Sequence, residues 1–170
     1  MFDDKVLAAA RRLIDLCRAA GLRVATAESC TGGLVAGALT EIAGSSDVVE
    51  RGFVTYSNGA KTEMLGVPAD LVARHGAVSE EVARVMAEGA LSRSAAELAV
   101  SVTGVAGPGG GSAAKPVGLV HFGCAAKGHG VRHLERRFGD VGRSEVRRLS
   151  VLAALALLEE AARAASIRTA

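Results

Sequence analysis

The chain has 170 residues, 49% of them apolar, the length and composition of one folded domain with a real core. A net charge of +2 with scattered arginines leaves no basic footprint for nucleic acid, and one Tyr, four Phe and no Trp give little on which to stack bases. No apolar run reaches the ~18 residues of a membrane span, and the three cysteines (Cys17, Cys30, Cys124) lack the CxxC spacing of a thiolate metal site or the even count of a disulfide framework.

The start, Met1-Phe2-Asp3-Asp4-Lys5, is acidic and lacks a signal peptide's basic region and apolar core, so a cytoplasmic protein is expected. Asp4 to Ala20 carries apolar residues at helical spacing (Val6, Leu7, Leu13, Ile14, Leu16, Cys17), and Gly21 stops it. Leu22 to Ala27 reads as a strand running into Glu28-Ser29-Cys30-Thr31-Gly32-Gly33, and Leu34 to Ile42 as a helix. Strand, glycine turn and helix in that order present N–H donors to a ligand. The glycines fit neither a Walker loop nor a dinucleotide fingerprint. After the turn Gly44-Ser45-Ser46-Asp47, Val48 to Tyr56 is a second strand, ending in Ser57-Asn58-Gly59. Short helices follow over Ala60–Leu65 and, after Pro68, Ala69–Arg74. Ser79 caps an amphipathic helix to about Ser94.

Glu97 to Val102 reads as a strand buried on both faces. It leads into the glycine-rich stretch Thr103-Gly104-Val105-Ala106-Gly107-Pro108-Gly109-Gly110-Gly111-Ser112, expected to form one wall of a site, since α/β sheets bind ligands beyond the carboxyl ends of their strands. Val117–Ala125 and Val131–Phe138 flank the turn Lys127-Gly128-His129-Gly130 as an antiparallel hairpin, and a long helix closes the chain to about Ala165. This order predicts a single three-layer α/β/α domain, 1–170, with a mixed, partly parallel sheet.

Polar groups collect at strand ends: Glu28, Ser29 and Thr31; Tyr56, Ser57 and Asn58; Thr103. A serine hydroxyl needs a base to become a nucleophile, and Lys61, five residues beyond Tyr56, serves if burial lowers its pKa. The four histidines sit in helix-end, strand and hairpin positions that do not suit a Ser-His-Asp triad, and His129 with His133 lacks a third ligand for a metal. Each candidate also has a plainer reading: Ser29 and Thr31 as helix caps, Ser45 and Ser46 as turn residues, Lys61 as a solvated lysine, Thr103 as a hydroxyl bonded to its own loop. Arg143 stands at a helix start, where a cation is unfavourable unless an anion lies between it and the dipole.

At these residues the chain resembles the CinA C-terminal domain family of nicotinamide-nucleotide amidohydrolases. The matching stretches are Thr26-Ala27-Glu28-Ser29-Cys30-Thr31-Gly32-Gly33, Ala43-Gly44-Ser45-Ser46, Glu50 to Asn58, Ala60-Lys61, His75 to Glu80, Thr103 to Pro108, and Gly110-Gly111-Ser112 with Lys115-Pro116-Val117-Gly118. Ala113-Ala114 depart from the acidic residues that often precede Lys-Pro-Val-Gly there. The resemblance implies hydrolysis of the carboxamide of nicotinamide mononucleotide to nicotinate mononucleotide and ammonia by a Ser-Lys arrangement, in a stand-alone domain needing no metal or redox cofactor. By position Ser46 is the first choice of nucleophile, with Lys61 as base and Tyr56 relaying a proton; Ser29 is the competitor. Thr31, Gly32, Gly33, Asn58, Thr103 and Gly104 are assigned to substrate and oxyanion contacts, and Arg143 to the substrate phosphate. Two other readings stay open: a nucleotide-binding module without turnover, and an amidase for another small amide. The apolar closing helix from Val151 to Ala165 suggests a homodimer or, equally, a core face.

Overall fold

The structure is a computed structural model and describes residues 2–167. Helix α1 (Asp4–Ala20) begins where the Asp3 carboxylate accepts the Val6 amide and ends at Gly21 in the left-handed region, φ 65°. Strand β1 (Val24–Glu28) leads to α2 (Leu34–Thr40), then a 3₁₀ turn at Ser45–Asp47 and β2 (Val49–Val54). Helices α3 (Asn58–Leu65), α4 (Ala69–His75) and α5 (Glu80–Ser92) follow, then β3 (Leu98–Gly104), β4 (Leu119–Ala126), β5 (Val131–Arg137) and α6 (Arg143–Ile167). Among the described residues no helix is long and apolar enough to cross a membrane.

The five strands form one sheet in the order β2-β1-β3-β4-β5. β1 runs parallel to both its neighbours, while β4 and β5 return as an antiparallel hairpin. The mixed, partly parallel sheet and the three layers expected from the sequence are both present. On one face α1, α2 and α6 pack on Val24, Leu98, Val100, Val102, Val120 and Phe122. On the other, α3, α4 and α5 cover Ala25, Ala27 and Ala99 through Leu65, Val72, Val82 and Met86. Central strands β1 and β3 are thus covered on both faces, and every residue of β1 and all but the last of β3 are buried, the polar Thr26, Glu28, Ser101 and Thr103 included. Edge strand β2 is largely half-buried or exposed. In α6, Val151, Ala154, Leu155, Leu158 and Ala162 lie in the first core, so the apolar face that suggested a second copy is occupied within the chain.

The parallel arrangement decides where function can sit. β1, β2 and β3 all point their carboxyl ends at one edge of the sheet, bringing together three segments separated in sequence. Helix α3, which carries Lys61, is held against α5 at a glycine. A Cβ at Gly89 would land on the backbone carbonyl of Leu65, the last residue of α3. Gly89→Ala must push the two helices apart, at a cost of about 1–3 kcal/mol for an overpacked contact. Thermal unfolding should therefore fall by roughly 2–12 °C, from the usual 2–4 °C per kcal/mol at this size.

Candidate functional site

Strand β1 ends at Glu28, and the next residue, Ser29, donates its amide to the Val102 carbonyl of β3 at 2.9 Å, holding the turn at the sheet edge. The Glu28 side chain folds forward and is fully buried. Its carboxylate accepts the amides of Gly33 (3.1 Å), Val35 (3.0 Å) and Ala36 (2.9 Å), the orphan donors at the start of α2. Gly32 donates to the Ser29 carbonyl at 3.0 Å. The Gly32 and Gly33 amides, expected to receive a substrate anion, are therefore already engaged inside the protein.

Lys61 enters from α3, whose first turn is capped by the Ser57 hydroxyl on the Ala60 amide. It is a buried lysine, 1% exposed, not a solvated one. Its Nζ lies 3.0 Å from Ser29 Oγ, 3.0 Å from the Thr55 carbonyl and 3.4 Å from the Tyr56 carbonyl. Burial lowers its pKa from the ordinary lysine value; a smaller influence from Cys30 opposes this. A neutral amine has two hydrogens and one lone pair. With the two carbonyls accepting the hydrogens, the lone pair is left facing the Ser29 hydroxyl. This is the geometry a general base requires of its nucleophile.

Ser29, Cys30, Tyr56, Asn58, Lys61, Ala77, Val78, Thr103, Gly104, Ala106 and Arg143 surround a cavity of about 220 Å³. Thr103 donates its hydroxyl to the Ala77 carbonyl at 2.8 Å, joining β3 to the segment before α5. Gly104 lines the cavity too, but its missing side chain has a packing reason: a Cβ there would lie 2.7 Å from Val120 Cγ2 and 2.8 Å from the Leu119 carbonyl. Beyond Gly107 the glycine-rich stretch is exposed, so only its opening residues form the expected wall.

Arg143, the first residue of α6, reaches back over the mouth. It donates to the Gly107 carbonyl at 2.9 Å and to the Tyr56 hydroxyl at 3.0 Å. Tyr56 is 60% exposed. Its hydroxyl meets Arg143, and only its backbone carbonyl meets Lys61, which differs from the relay expected of it. Thr31 is fully buried, its Oγ1 unpartnered, and it is not among the cavity residues. The Cys30 thiol is buried, and that burial pushes it up to about 12, which makes it a poor nucleophile at neutral pH.

Ser46 is not brought to Lys61. It is exposed in the 3₁₀ turn that precedes β2, whereas Lys61 follows β2. The six residues of β2 separate the two ends of the sheet, about 20 Å of extended chain. Of the two serines named from the sequence, the structure brings Ser29 and not Ser46 to Lys61. Arg147, one helical turn beyond Arg143, was missed; it donates to the Cys30 and Thr31 carbonyls at 3.1 and 3.0 Å. Its only signal in the sequence was the i,i+4 spacing from Arg143 at the start of a helix. Among the described residues no cluster of three or more His, Cys, Asp or Glu could hold a metal ion.

Comparison with known proteins gives this geometry relatives. The chain is 50% identical over 159 residues to a nicotinamide-nucleotide amidohydrolase from Escherichia coli strain K12, covering 93% of this chain and 95% of that one. It is 52% identical over 140 residues, 82% of this chain, to a putative competence-damage inducible protein of Caldicellulosiruptor bescii. Of that relative, and of several CinA-like proteins that match equally well, the chain spans about a third of the length. The crystal structure of the competence/damage inducible protein CihA from Agrobacterium tumefaciens superposes with a TM-score of 0.93 at 56% identity, covering 96% of this chain and 98% of that one. The CinA C-terminal domain matches residues 7–162, and the chain belongs to that family.

Proposed function

We propose that the domain hydrolyses the carboxamide of nicotinamide mononucleotide, with Ser29 as nucleophile and Lys61 as its base. The observation that carries this reading is the buried contact of 3.0 Å between Lys61 Nζ and Ser29 Oγ at the wall of a cavity. The full-length identity to the Escherichia coli amidohydrolase supports the substrate.

Ser29 Oγ attacks the carboxamide carbon as its proton passes to Lys61 Nζ. The carbonyl π electrons move onto oxygen, giving a tetrahedral oxyanion. The Lys61 ammonium then protonates the departing nitrogen, which leaves as ammonia, and a nicotinoyl ester remains on Ser29. Water attacks that ester with Lys61 again taking a proton, and returning it to Ser29 Oγ as nicotinate mononucleotide departs. Asn58 and Thr103 line the cavity around the ring, and Arg143 at the mouth takes the substrate phosphate, exchanging its bonds to Gly107 and Tyr56 for it.

Ammonia release from nicotinamide mononucleotide, measured beside the unphosphorylated riboside, tests this. The mononucleotide should be deamidated and strongly preferred. Binding without ammonia release would make the domain a nucleotide-binding module, and an equal rate on the riboside would remove Arg143 from its role. Arg143→Ala should raise KM for the mononucleotide about 10- to 100-fold with little change in kcat, as befits a lost charge-assisted bond of about 1.5–3 kcal/mol.

A further inference from the structure

The charged side chains that line the catalytic cavity are of one sign. Lys61 stands at its wall and Arg143 at its mouth, and among the described residues no Asp, Glu or His lines it. Glu28, next to Ser29 in the chain, gives its carboxylate to the amides of α2. The Cys30 thiol, pushed up to about 12 by burial, stays neutral, and the Tyr56 hydroxyl meets Arg143. The helices packed beside α3 hold their acidic groups elsewhere: Asp70 on Arg74, Glu81 on His75, Glu80 on Arg84, with Glu88 exposed, as is Glu63 of α3 itself. Lys61 Nζ is thus a buried amine whose partners are one hydroxyl and two carbonyls. A proton placed on it creates a charge that no anion among the described residues offsets.

The reaction itself brings the missing anion. The substrate enters with an uncharged carboxamide. Hydrolysis of the Ser29 ester leaves a carboxylic acid at the same carbon, about 3–3.5 Å from Ser29 Oγ once that bond has broken. Oγ is in turn 3.0 Å from Lys61 Nζ. The acid gives its proton to Nζ, so a carboxylate and an ammonium face each other inside the cavity. The product is then held by a cation at both ends, its carboxylate on Lys61 and its phosphate on Arg143. The substrate is held by charge at its phosphate end only. The pyridinium charge is common to both ligands and does not distinguish them.

We propose that the cavity is a receptor for pyridine carboxylate mononucleotides: it binds the acid product more tightly than the amide substrate, and the product restrains its own formation. This rests on the Ser29 and Lys61 reading given above. Burial lowers the pKa of Lys61, and a bound carboxylate favours its ammonium form. Product binding therefore takes up a proton at pH values above the pKa of the empty site, whereas below it Lys61 is already charged. The advantage of the acid is full at low pH and shrinks as pH rises. Turnover has the opposite dependence, because the base must be neutral.

The test is titration calorimetry of nicotinate mononucleotide and nicotinamide mononucleotide into Ser29→Ala, which holds either without turning it over, and into Lys61→Met, at several pH values. Ser29→Ala should bind the acid about 10- to 100-fold more tightly than the amide, the range for one charge-assisted bond, and the ratio should narrow as pH rises. Heats in buffers of different ionisation enthalpy should show more proton uptake with the acid than with the amide; the phosphate titrates alike in both ligands and cancels. Lys61→Met should lose both the preference and the extra proton uptake. If Lys61→Met unfolds, the proton uptake of Ser29→Ala carries the test. In the wild type the acid should inhibit deamidation competitively. Equal affinities or equal proton uptake in Ser29→Ala, or an undiminished preference in Lys61→Met, overturn the proposal while leaving Ser29 in place if Ser29→Ala is inactive. Full activity in Ser29→Ala overturns the underlying reading as well.

Discussion

Lys61→Met is expected to abolish deamidation, lowering kcat by at least about 1,000-fold, within the range for loss of a general base that also serves as the acid. Ser29→Ala should be equally inactive, and the double variant no worse than either single one, because nucleophile and base act as one unit. The methionine keeps most of the stem volume among the same neighbours, so the protein should stay folded. The pH dependence has a definite sign. Burial lowers the folded-state pKa of Lys61, so the neutral, active amine is present at lower pH than for a free lysine. The acid limb of kcat/KM should therefore lie below the ordinary lysine value of about 10.4 and vanish with the side chain. Stability follows the same linkage. Below the folded pKa the buried ammonium destabilises the wild type, and this cost is relieved as pH rises from the folded pKa toward the unfolded value of about 10.4. Over that window wild-type stability should rise relative to Lys61→Met, and chemical denaturation at several pH values would show it.

Glu28→Ala should produce the largest loss of stability from a single side chain at the site. The carboxylate is fully buried and accepts three amides within 3.1 Å. Removing it strands those donors beneath α2 and leaves a cavity, and each buried unpaired donor costs about 1–3 kcal/mol. With partial relaxation the sum is about 3–5 kcal/mol, or roughly 6–20 °C in unfolding temperature at this chain length. Turnover should fall too at temperatures where the variant is folded, since the same carboxylate anchors the loop that presents Ser29. Glu28→Gln keeps the shape but offers one acceptor oxygen and aims an amide group at an N–H, so it should recover only part of the stability. Wild-type unfolding of Glu28→Ala in a calorimeter would remove the carboxylate from this structural role.

Much of the architecture was legible in the sequence. The segment Glu97 to Val102 announced a strand covered on both faces, as β3 is, and Gly21 and Ser79 marked helix ends by their cap chemistry. The gathering of Ser29, Asn58, Lys61 and Thr103 at one edge also followed from parallel strands, because their loops all lie after a strand. That same chain direction weighs against Ser46, which lies before β2 while Lys61 lies after it. Gly32 and Gly33 suggested an anion site because nothing in a linear motif reveals that a glutamate at the end of the preceding strand will take their place. The caps familiar from sequence lie at the residue before the helix, whereas Glu28 acts from six residues before α2. Arg147 was invisible for a different reason: its bonds join α6 to a loop more than a hundred residues earlier, a contact set by the packing of α2 and α6 on one face.

The account stands on Ser29 being the hydroxyl that Lys61 activates. Its most direct test is ammonia release from nicotinamide mononucleotide by Ser29→Ala and Ser46→Ala, assayed side by side with the wild type. Ser46→Ala should turn over within about twofold of wild type and Ser29→Ala at least about 1,000-fold more slowly. The reverse order, or near-wild-type release from Ser29→Ala, would contradict it.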